Sequence, residues 1–426
     1  MPKTVCFVTL GCKVNQYDSQ AMLEQFEAHG YECREDGADV CVVNTCMVTG
    51  TGEHKSMQLI RRMRRRYPAS ELVVAGCLAQ RMGESLRSTG ARLILGTQRR
   101  GEVVELLERA IAHHEQIVAV DSIQGAPYEP LSIHSHEGHT RAVMKIQEGC
   151  DNRCAYCIIP TVRGPVRSRP LEAVAAEAQA LSRAGFRELV LTGIHLTSYG
   201  RDLPGRPTLA QAALCACAPE GVLRVRLGSL EPRVVTDAFL DALADEPRLC
   251  PQFHLALQSG SDAVLRRMRR GYTAAQYLDA VSRIRQVWPL ASFTTDIIAG
   301  FPGETEEEFA QTLALCREVE FLRIHAFPFS PRAGTPAAQM PGQLSQECKA
   351  ERVGRLIALG RETSRLYRQR LLGLVRPVLV EEASSMRGYT PEYVPVTVPG
   401  ARAGEVVEAR LEALDGEEGL RGSLVE

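Results

Sequence analysis

The sequence predicts an α/β protein in three parts: an N-terminal doubly wound parallel sheet, a central partial (β/α)6 barrel and a small C-terminal β-barrel of OB-like type. Three observations predict this fold class. Apolar strand-like runs alternate with helical stretches over the first third of the chain, six strand–helix pairs follow residue 140, and short β-type runs with Gly/Pro turns follow Gly373. Strand–helix alternation is typical of parallel sheets, and short strands between turns are typical of small barrels.

Length and composition indicate an ordinary globular protein with several domains. At ~150 residues per domain, the length corresponds to about three. Apolar residues make up 45% of the chain and charged residues 24%, which is the usual balance. The predicted parts are residues 1–113, a linker at 114–140, a central part at 141–342, a connecting helix at 343–372 and a C-terminal part at 373–426.

Charge, cysteine content and the N-terminus limit the classes of function. Lys and Arg number 50 against 51 Asp and Glu, so the overall charge demands no nucleic-acid partner. No run approaches the ~18 apolar residues of a membrane helix, and the N-terminus does not resemble a signal peptide. We therefore expect a cytoplasmic protein without membrane contact, whose 14 cysteines serve metal or redox chemistry instead of disulfides.

The N-terminal part carries three cysteines at one edge of its predicted sheet. Cys12, Cys46 and Cys77 each follow one of the first three strands. Because ligands collect outside the carboxyl ends of such strands, all three fall in one loop layer and predict an iron–sulfur site. Simple packing of apolar thiols is the alternative. The predicted strands are Thr4–Leu10, Val40–Asn44, Glu71–Ala75 and Arg92–Leu95, and the helices are about Asp18–His29, Thr51–Tyr67, Gln80–Ser88 and Gly101–His114.

The central part is predicted to place its active site at the carboxyl ends of the barrel strands. Polar or flexible motifs follow these strands, including TGIHLTSYG, GSLEP, LQSGSD and GFPGETEEEF. In the last of these, Thr305 and Glu308 predict a helix capping box. An incomplete barrel also leaves a lateral opening that suits a macromolecular substrate. The predicted strands are Arg141–Ile146, Glu188–Leu191, Val222–Leu227, Gln252–Leu257, Phe293–Ile298 and Phe321–Phe327, with helices at Leu171–Ala184, Val234–Leu243, Ala274–Val287 and Glu304–Glu318.

The first barrel strand leads directly into a CxxxCxxC loop formed by Cys150, Cys154 and Cys157. Three thiolates this close together can bind three corners of a cubane cluster and leave the fourth iron open. An open metal position is typical of chemistry, whereas a filled one is typical of structure or electron transfer. The alternatives are three unrelated cysteines or a structural zinc site, for which the nearest downstream His is His195.

The C-terminal part and two basic stretches bear on a nucleic-acid partner. The run Arg61–Arg66 and the long predicted helix Leu344–Leu372 are basic, and for both a solvated face is the favoured interpretation over a phosphate-contacting one. The last ~50 residues predict a barrel of about five strands. Arg387, Tyr389 and Tyr393 offer charge and stacking surfaces for RNA there, and a structural cap is the alternative.

These motifs together resemble the radical S-adenosylmethionine (SAM) methylthiotransferases. The CxxxCxxC loop, with Tyr156 before its last cysteine, is followed by IIPTVRGPVRSRP, and TLGCKVNQYDS, NTCMVT and GCLAQ surround the N-terminal cysteines. The resemblance implies one 4Fe–4S cluster on each cysteine set and a C-terminal TRAM domain. It assigns SAM contacts and RNA contacts to two groups of residues: Tyr156, Gly193, Ser229, Glu231, Gln258 and Gly300 for SAM, and Arg163, Arg167, Arg387, Tyr389 and Tyr393 for RNA.

Within this family, GCKVNQYDS resembles the branch that acts on N6-threonylcarbamoyladenosine at position 37 of tRNA, a distinction that depends mainly on Lys13 and Val14. The resemblance implies two SAM molecules, one for methylation of a sulfide and one for the radical that takes the hydrogen from carbon 2 of adenine. It also implies a flavodoxin- or ferredoxin-like electron donor and a monomer. The alternatives are modification of isopentenyladenosine in tRNA, modification of a ribosomal-protein aspartate, and an RNA-binding iron–sulfur protein without turnover.

Overall fold

The computed structural model describes residues 3–48, 50–135, 140–382 and 384–425, and it confirms the predicted fold class. The N-terminal part is a six-stranded parallel sheet in the order β2-β1-β3-β4-β5-β6. Four of its strands are those predicted, and β2 and β6 were not predicted because each is only two or three residues long. The strands are β1 (Thr4–Thr9), β2 (Glu32–Cys33), β3 (Val40–Thr45), β4 (Glu71–Gly76), β5 (Leu93–Leu95) and β6 (Ile117–Ala119).

Helices cover both faces of this sheet, as its alternating sequence predicts. Strand β6 lies inside the stretch that the sequence assigns to a linker, so the sheet extends further than expected; residues 136–139 of that stretch lie outside the described part. The first helix begins immediately after Cys12, and the third begins at Cys77. The helices are α1 (Lys13–Ala28), α2 (Gly50–Arg66), α3 (Cys77–Met82) and α4 (Val103–Ala112).

The central part has the six predicted parallel strands, arranged as two four-stranded sheets in the orders β10-β9-β7-β8 and β11-β12-β13-β14. Short strands β8 and β11 supplement the six, and β8 runs antiparallel to β7. The strands are β7 (Arg141–Glu148), β8 (Arg167–Ser168), β9 (Glu188–Gly193), β10 (Arg224–Leu227), β11 (Ser229–Leu230), β12 (Gln252–Leu255), β13 (Ser292–Ala299) and β14 (Arg323–Pro328).

Helices surround the central strands and bury one continuous apolar core between helix and strand layers. The predicted capping box is present: Thr305 accepts a hydrogen bond from the backbone of Glu308, whose side chain bonds back to the Thr305 N–H. None of the helices in the described part of the chain is long and apolar enough to cross a membrane. The helices are α5 (Ile159–Arg163), α6 (Leu171–Arg183), α7 (Leu209–Cys217), α8 (Asp237–Leu243), α9 (Asp262–Arg267), α10 (Ala274–Val287) and α11 (Glu306–Val319).

The C-terminal part is a closed five-stranded barrel in the order β15-β16-β17-β19-β18, preceded by the long helix α12 (Gln346–Arg370). Its interior is filled by valines and leucines that also contact Tyr367 and Leu371 at the end of α12. The helix therefore fixes the small barrel to the central part. The strands are β15 (Val375–Glu382), β16 (Arg387–Tyr389), β17 (Pro395–Thr397), β18 (Val406–Asp415) and β19 (Gly419–Leu424).

The N-terminal sheet contacts the central barrel on both sides of its gap. On one side Asp18 of α1 pairs with Lys145 of β7, and both side chains are almost fully buried. On the other side Arg332, just after β14, lies 2.6 Å from Glu53 and donates to the Met47 carbonyl at 2.8 Å. The N-terminal part thus spans the opening that the sequence predicts.

Candidate active site

The CxxxCxxC loop is shaped by a glycine that no other residue can replace without strain. Gly149 ends strand β7 with φ of +72°, and a Cβ there would lie 1.8 Å from the Pro165 carbonyl oxygen. Left-handed backbone and such a close approach both require glycine. The chain then continues with Cys150 donating its N–H to the Gly164 carbonyl at 2.9 Å and Ala155 donating to the Met268 carbonyl at 2.9 Å. These bonds fix the three cysteines at the carboxyl end of the barrel.

Cys150, Cys154 and Cys157 share one cavity with residues from the ends of the neighbouring strands. Four of the six residues that the sequence assigns to SAM line this cavity, whereas Gly193 and Gly300 do not, and Gly300 packs against Lys349 instead. The other lining residues come from the cysteine loop itself, from β11 and β13, from the segments that follow β9, β11 and β12, and from the segment after α9. The lining includes Asn152, Tyr156, Ile194, His195, Ser229, Glu231, Ala256, Gln258, Arg270 and Asp296.

Backbone strain marks one of these lining residues. Gln258 has φ of +65°, although it is not glycine. Its N–H donates to the Asp296 carbonyl at 2.9 Å, and its carbonyl accepts from Ile298 at 3.0 Å. Non-glycine residues in this region are uncommon and are held there by their surroundings, often at functional sites.

A charged network inside the cavity was missed from the sequence. The Arg270 guanidinium lies 2.8 Å from Glu231, and Asn152 donates to the same carboxylate at 3.0 Å. Burial by itself would raise the pKa of Glu231, but hydrogen bonding to His195 and the charge of Arg270 outweigh it and lower that pKa to about 2. Glu231 is therefore an ionised acceptor. Arg270 lies next to Arg269 in the sequence MRRGYT, and nothing in that sequence indicates which of the two arginines lines the cavity.

Cys150 and Cys157 are held as neutral thiols when no metal is bound. Burial raises the pKa of Cys150 to about 11 and that of Cys157 to about 12, despite opposing hydrogen bonds from the backbone. Since iron binds thiolates, loading of the site must release these protons. Arg270 donates to Sγ of Cys154 at 3.3 Å.

The structure also brings the three N-terminal cysteines to one place. A Cβ at Gly11, the residue before Cys12, would lie 3.2 Å from Sγ of Cys46, so these two loops touch. Cys46 and Cys12 both act electrostatically on the Cys77 thiol, whose pKa burial raises to about 11. The strand-end rule therefore placed these cysteines correctly in one loop layer. Cys12 is exposed, Cys46 is half-buried and Cys77 is buried.

The composition of each cysteine set suits a cubane cluster better than a single metal ion. In the described part of the chain, no three His, Cys, Asp or Glu side chains converge tightly enough to hold a single metal ion. In a cubane each cysteine binds a different iron, so its thiolates surround the cluster and do not meet at one point. Each set also supplies three thiols and no fourth cysteine, which leaves room for a non-protein ligand.

Two arginines that the sequence assigns to RNA are buried among protein groups, which argues against direct RNA contact at either. Arg163 is 1% exposed and Arg167 is 4% exposed. Arg163 donates to Sγ of Cys77 at 3.1 Å, and Arg167 donates to the Arg163 carbonyl at 2.8 Å. A basic motif is ambiguous in sequence because its partners, in this case a cysteine and carboxylates, lie far away in the chain.

Tyr389 and Tyr393 of the C-terminal barrel are engaged inside the protein. Their rings stack with centroids 4.7 Å apart, and the Arg141 guanidinium lies about 5 Å from both. Arg226 of β10 covers Tyr393 at 4.6 Å. These contacts join the small barrel to the central part, so the structure favours the structural alternative for the two tyrosines. Arg387 remains half-buried on β16.

Lys13 lies beside Cys12 and keeps contact with solvent, but protein encloses it on several sides. This enclosure, and then the positive charges of Arg226 and Arg141, lower the pKa of Lys13 to about 8, while Glu188 acts in the opposite direction. Arg141, Glu188 and Arg226 come from strands β7, β9 and β10. Arg141 and Arg226 are themselves paired with carboxylates, Glu381 at 2.6 Å and Glu188 at 2.9 Å.

Comparisons with known proteins agree with this arrangement. Residues 144–316 match the radical SAM superfamily, and residues 4–96 match an uncharacterized protein family, UPF0004. The threonylcarbamoyladenosine tRNA methylthiotransferase MtaB of Bacillus subtilis is 40% identical over 96% of this chain and 93% of its own length. The MtaB protein of Thermotoga maritima is 38% identical over 100% and 98%.

A second kind of relative is nearly as similar. The tRNA-2-methylthio-N(6)-dimethylallyladenosine synthase of Carboxydothermus hydrogenoformans is 36% identical over 99% of this chain and 96% of its own length. Among solved structures, the radical SAM methyltransferase TsrM from Kitasatospora setae has a TM-score of 0.57 at 15% identity, covering 79% of this chain and 77% of that one. At this identity the likeness concerns the fold alone.

Full-length similarity to these enzymes, together with the cysteine loop and its cavity at the carboxyl end of the barrel, implies a 4Fe–4S cluster, SAM and a tRNA substrate. The chain belongs to the radical SAM tRNA methylthiotransferases.

Proposed function

We propose that this protein methylthiolates carbon 2 of N6-threonylcarbamoyladenosine at position 37 of tRNA, using two 4Fe–4S clusters and two SAM molecules. The observation that carries this proposal is the presence of two separate sets of three cysteines, each at the carboxyl edge of its own parallel sheet. An electron-transfer protein does not need two incompletely ligated clusters. The proposed reaction does, because sulfur donation and radical generation are separate tasks and each needs its own cluster.

We assign Cys150, Cys154 and Cys157 to one cluster, and Cys12, Cys46 and Cys77 to the other. When bound, the first supplies the electron that cleaves SAM to a 5′-deoxyadenosyl radical, and the second supplies the sulfur. The chain's own residues bind and orient. Glu231 and Ser229 are placed in the cavity to accept or donate hydrogen bonds to SAM, and Tyr156 closes one wall.

Lys13 favours the threonylcarbamoyl substrate over a dimethylallyl one. The threonylcarbamoyl group ends in a carboxylate, whereas the dimethylallyl group is a neutral hydrocarbon. A lysine next to Cys12 suits an anion and offers nothing to a hydrocarbon. The relatives acting on dimethylallyladenosine keep the second substrate open as a candidate.

Contact with tRNA beyond the modified base belongs to the outer surface, and we assign part of it to the C-terminal barrel, in the manner of a TRAM domain. Arg387 is a half-buried cation on that barrel, and Arg361, Arg365 and Arg370 are exposed on α12. A small flavodoxin- or ferredoxin-like protein is the electron donor that we propose, with the enzyme acting as a monomer.

Two measurements test the proposal. Cys12→Ala and Cys150→Ala variants should each lose about four irons and the matching sulfide, independently of one another. Mass spectrometry of tRNA nucleosides from a deletion strain should show loss of the 2-methylthio mark from threonylcarbamoyladenosine only. Loss from dimethylallyladenosine instead would select the second candidate, and intact clusters that release no 5′-deoxyadenosine from SAM would favour a non-enzymatic protein.

A further inference from the structure

We propose that Arg163 is the positioning residue of the N-terminal cysteine site: it hydrogen bonds one cysteine directly, holds the loops of the other two through Asn15, and sets the reduction potential of the cluster that they bind. The inference rests on the proposed second cluster. It assigns a role at the N-terminal site to a residue of the central part of the chain.

All three nitrogen atoms of the Arg163 guanidinium donate hydrogen bonds to groups inside the protein. Nε donates to Sγ of Cys77 at 3.1 Å. Nη1 donates to Asp18 and to Glu148, each at 3.0 Å. Nη2 donates to the side-chain oxygen of Asn15. The guanidinium is therefore fixed in one orientation, with one N–H aimed at a sulfur.

Asn15 extends this control to the other two cysteine loops. Its amide nitrogen donates to the Leu10 carbonyl at 2.7 Å and to the Thr45 carbonyl at 3.0 Å. Leu10 lies two residues before Cys12, and Thr45 immediately precedes Cys46. Because Arg163 fixes the amide of Asn15, the positions of the Cys12 and Cys46 loops also depend on this arginine.

The helix that carries Arg163 is built into the N-terminal sheet. Ile158 and Val162 belong to the apolar core formed by β3, β4 and α3. The Val162 carbonyl accepts a hydrogen bond from Thr97 at 3.0 Å. Since Cys157 and Arg163 are only six residues apart in sequence, one short segment completes the loop of the first cysteine set and reaches into the second.

Because carboxylates balance the positive charge of Arg163, we expect Arg163 to act on the Cys77 sulfur as a hydrogen-bond donor and not as a net charge. Arg163 pairs with two carboxylates, Asp18 and Glu148, inside a buried network of ion pairs, so its own charge is compensated without a thiolate. Hydrogen bonds to cluster sulfurs stabilise the reduced, more negative state and so raise the potential. The members are Arg100, Lys145 and Arg163 with Asp18, Glu129 and Glu148.

Lysine cannot replace this arrangement. An ammonium is a point donor, whereas the guanidinium presents a planar fork whose edges here serve four different partners. Arg163→Lys keeps the positive charge but cannot reach the Cys77 sulfur while also pairing Asp18 and Glu148. Both Arg163→Lys and Arg163→Gln should therefore lower the potential of the N-terminal cluster, with the larger shift in the glutamine variant.

The experiment isolates the N-terminal cluster in a Cys150→Ala, Cys154→Ala, Cys157→Ala background of the full chain. Iron and sulfide content, the electron paramagnetic resonance spectrum and the midpoint potential are measured with and without each Arg163 variant. Arg167→Lys is the matched control, because Arg167 is a buried arginine of the same segment that contacts no cysteine sulfur in the described structure. It should leave the potential where it is.

A downward shift in the Arg163 variants, or loss of the cluster in Arg163→Gln alone, supports the proposal. Full iron content with an unchanged potential overturns it. If the glutamine variant does not fold, an unchanged potential in Arg163→Lys overturns it equally. Absence of any cluster in the starting background would instead refute the proposed function, so the two failures are distinguishable.

Discussion

Nη2 of Arg270 lies 2.8 Å from Oε1 of Glu231, while Nη1 of the same guanidinium lies 3.3 Å from Sγ of Cys154. Arg270 thus connects a carboxylate of the cavity to a cysteine of the loop beside it. The N-terminal site has a counterpart in Arg163 and Cys77. Each cysteine set therefore has a sulfur that accepts a hydrogen bond from an arginine whose side chain is buried.

Glu231→Gln should weaken SAM binding. The Glu231 carboxylate is ionised, lines the cavity and orients Arg270. In the glutamine variant a neutral amide replaces this charged acceptor, so Arg270 loses its negatively charged partner. Hydrogen bonds to charged groups contribute about 1.5–3 kcal/mol, which corresponds to roughly a 10- to 150-fold rise in Kd. Equilibrium binding of SAM to reconstituted protein measures this. Glu220→Gln, an exposed residue, is the control, and equal Kd values in both variants would contradict the assignment.

Gly149→Ala should prevent assembly of the first cysteine site. The added Cβ would overlap the Pro165 carbonyl, and the backbone there is left-handed. Gly205→Ala is the matched control, since it has the same φ of +72° but open space around it. Iron analysis of the two variants should show about four irons missing only in Gly149→Ala. Normal iron content in that variant would show that the loop can shift without loss of the site.

Lys13→Met should reduce methylthiolation of threonylcarbamoyladenosine about 10-fold or more in kcat/KM, because a charge-assisted contact to the carboxylate is lost. Nucleoside mass spectrometry of tRNA incubated with reconstituted enzyme gives the rate. The control is Lys55→Met, which removes an exposed lysine of α2. Iron content must be equal in both, because Lys13 adjoins Cys12. A Lys13 variant with wild-type activity would remove the argument for an anionic substrate group.

The buried network around Glu148 should make stability depend on pH in the acid range. Burial alone would raise the pKa of Glu148, but Arg163, Lys145 and Arg100 outweigh it and hold that pKa well below its usual range. A carboxylate with a depressed folded-state pKa stabilises the protein above its unfolded pKa of about 4.3, and this contribution declines as the pH falls further.

Glu148→Gln should therefore be less stable than wild type at pH 7, by roughly 3 kcal/mol for a broken buried pair. The difference should shrink below pH ~4.3, because the wild type loses its advantage there. Urea midpoints at pH 7 and pH 3.5 measure the effect. A gap of the same size at both values would mean that Glu148 contributes by packing and not by charge.

Tyr393→Ala should loosen the C-terminal barrel without affecting either cysteine set. The ring lies between Arg226 and Arg141 and stacks on Tyr389, contacts worth roughly 2 kcal/mol together. Hydrogen exchange over residues 375–424 should speed up relative to wild type, while residues 141–328 remain protected. Arg402→Ala, at an exposed position of the same barrel, should show neither change, and uniform protection in both variants would contradict the proposed interface.

The sequence predicted those parts of the fold that repeat a pattern. Strand–helix alternation located the long parallel strands, and the strand-end rule placed Cys12, Cys46 and Cys77 in one layer. Strands β2, β6, β8 and β11 were not predicted. Three of them have only two residues, too few for a periodic pattern, and β6 lies in the stretch that the sequence assigns to a linker. Capping chemistry at Thr305 was readable because it depends on residues three positions apart.

Partners that lie far apart in the chain could not be predicted. Arg163 and Arg167 were assigned to RNA because a basic motif does not show whether carboxylates cover it, and Asp18 is 145 residues away from Arg163. The sequence suggests Tyr389 and Tyr393 as stacking surfaces for RNA. In the structure their rings stack on each other, and an arginine of the central barrel lies over Tyr393. Arg270 was overlooked because it is one of several arginines in a row.

The N-terminal sheet is attached to both margins of the central barrel, at Lys145 on one side and at Arg332 on the other. A route through that flank would have to separate the buried Asp18–Lys145 pair, so we expect an RNA loop to approach from the strand ends. Enzymes that act on a base take it out of its stack, and we expect the target nucleotide to reach the cavity in that way. An anticodon loop that releases its base easily is then a better substrate than one of identical sequence held in a rigid stack, and selection among tRNAs begins with the mechanics of the RNA itself.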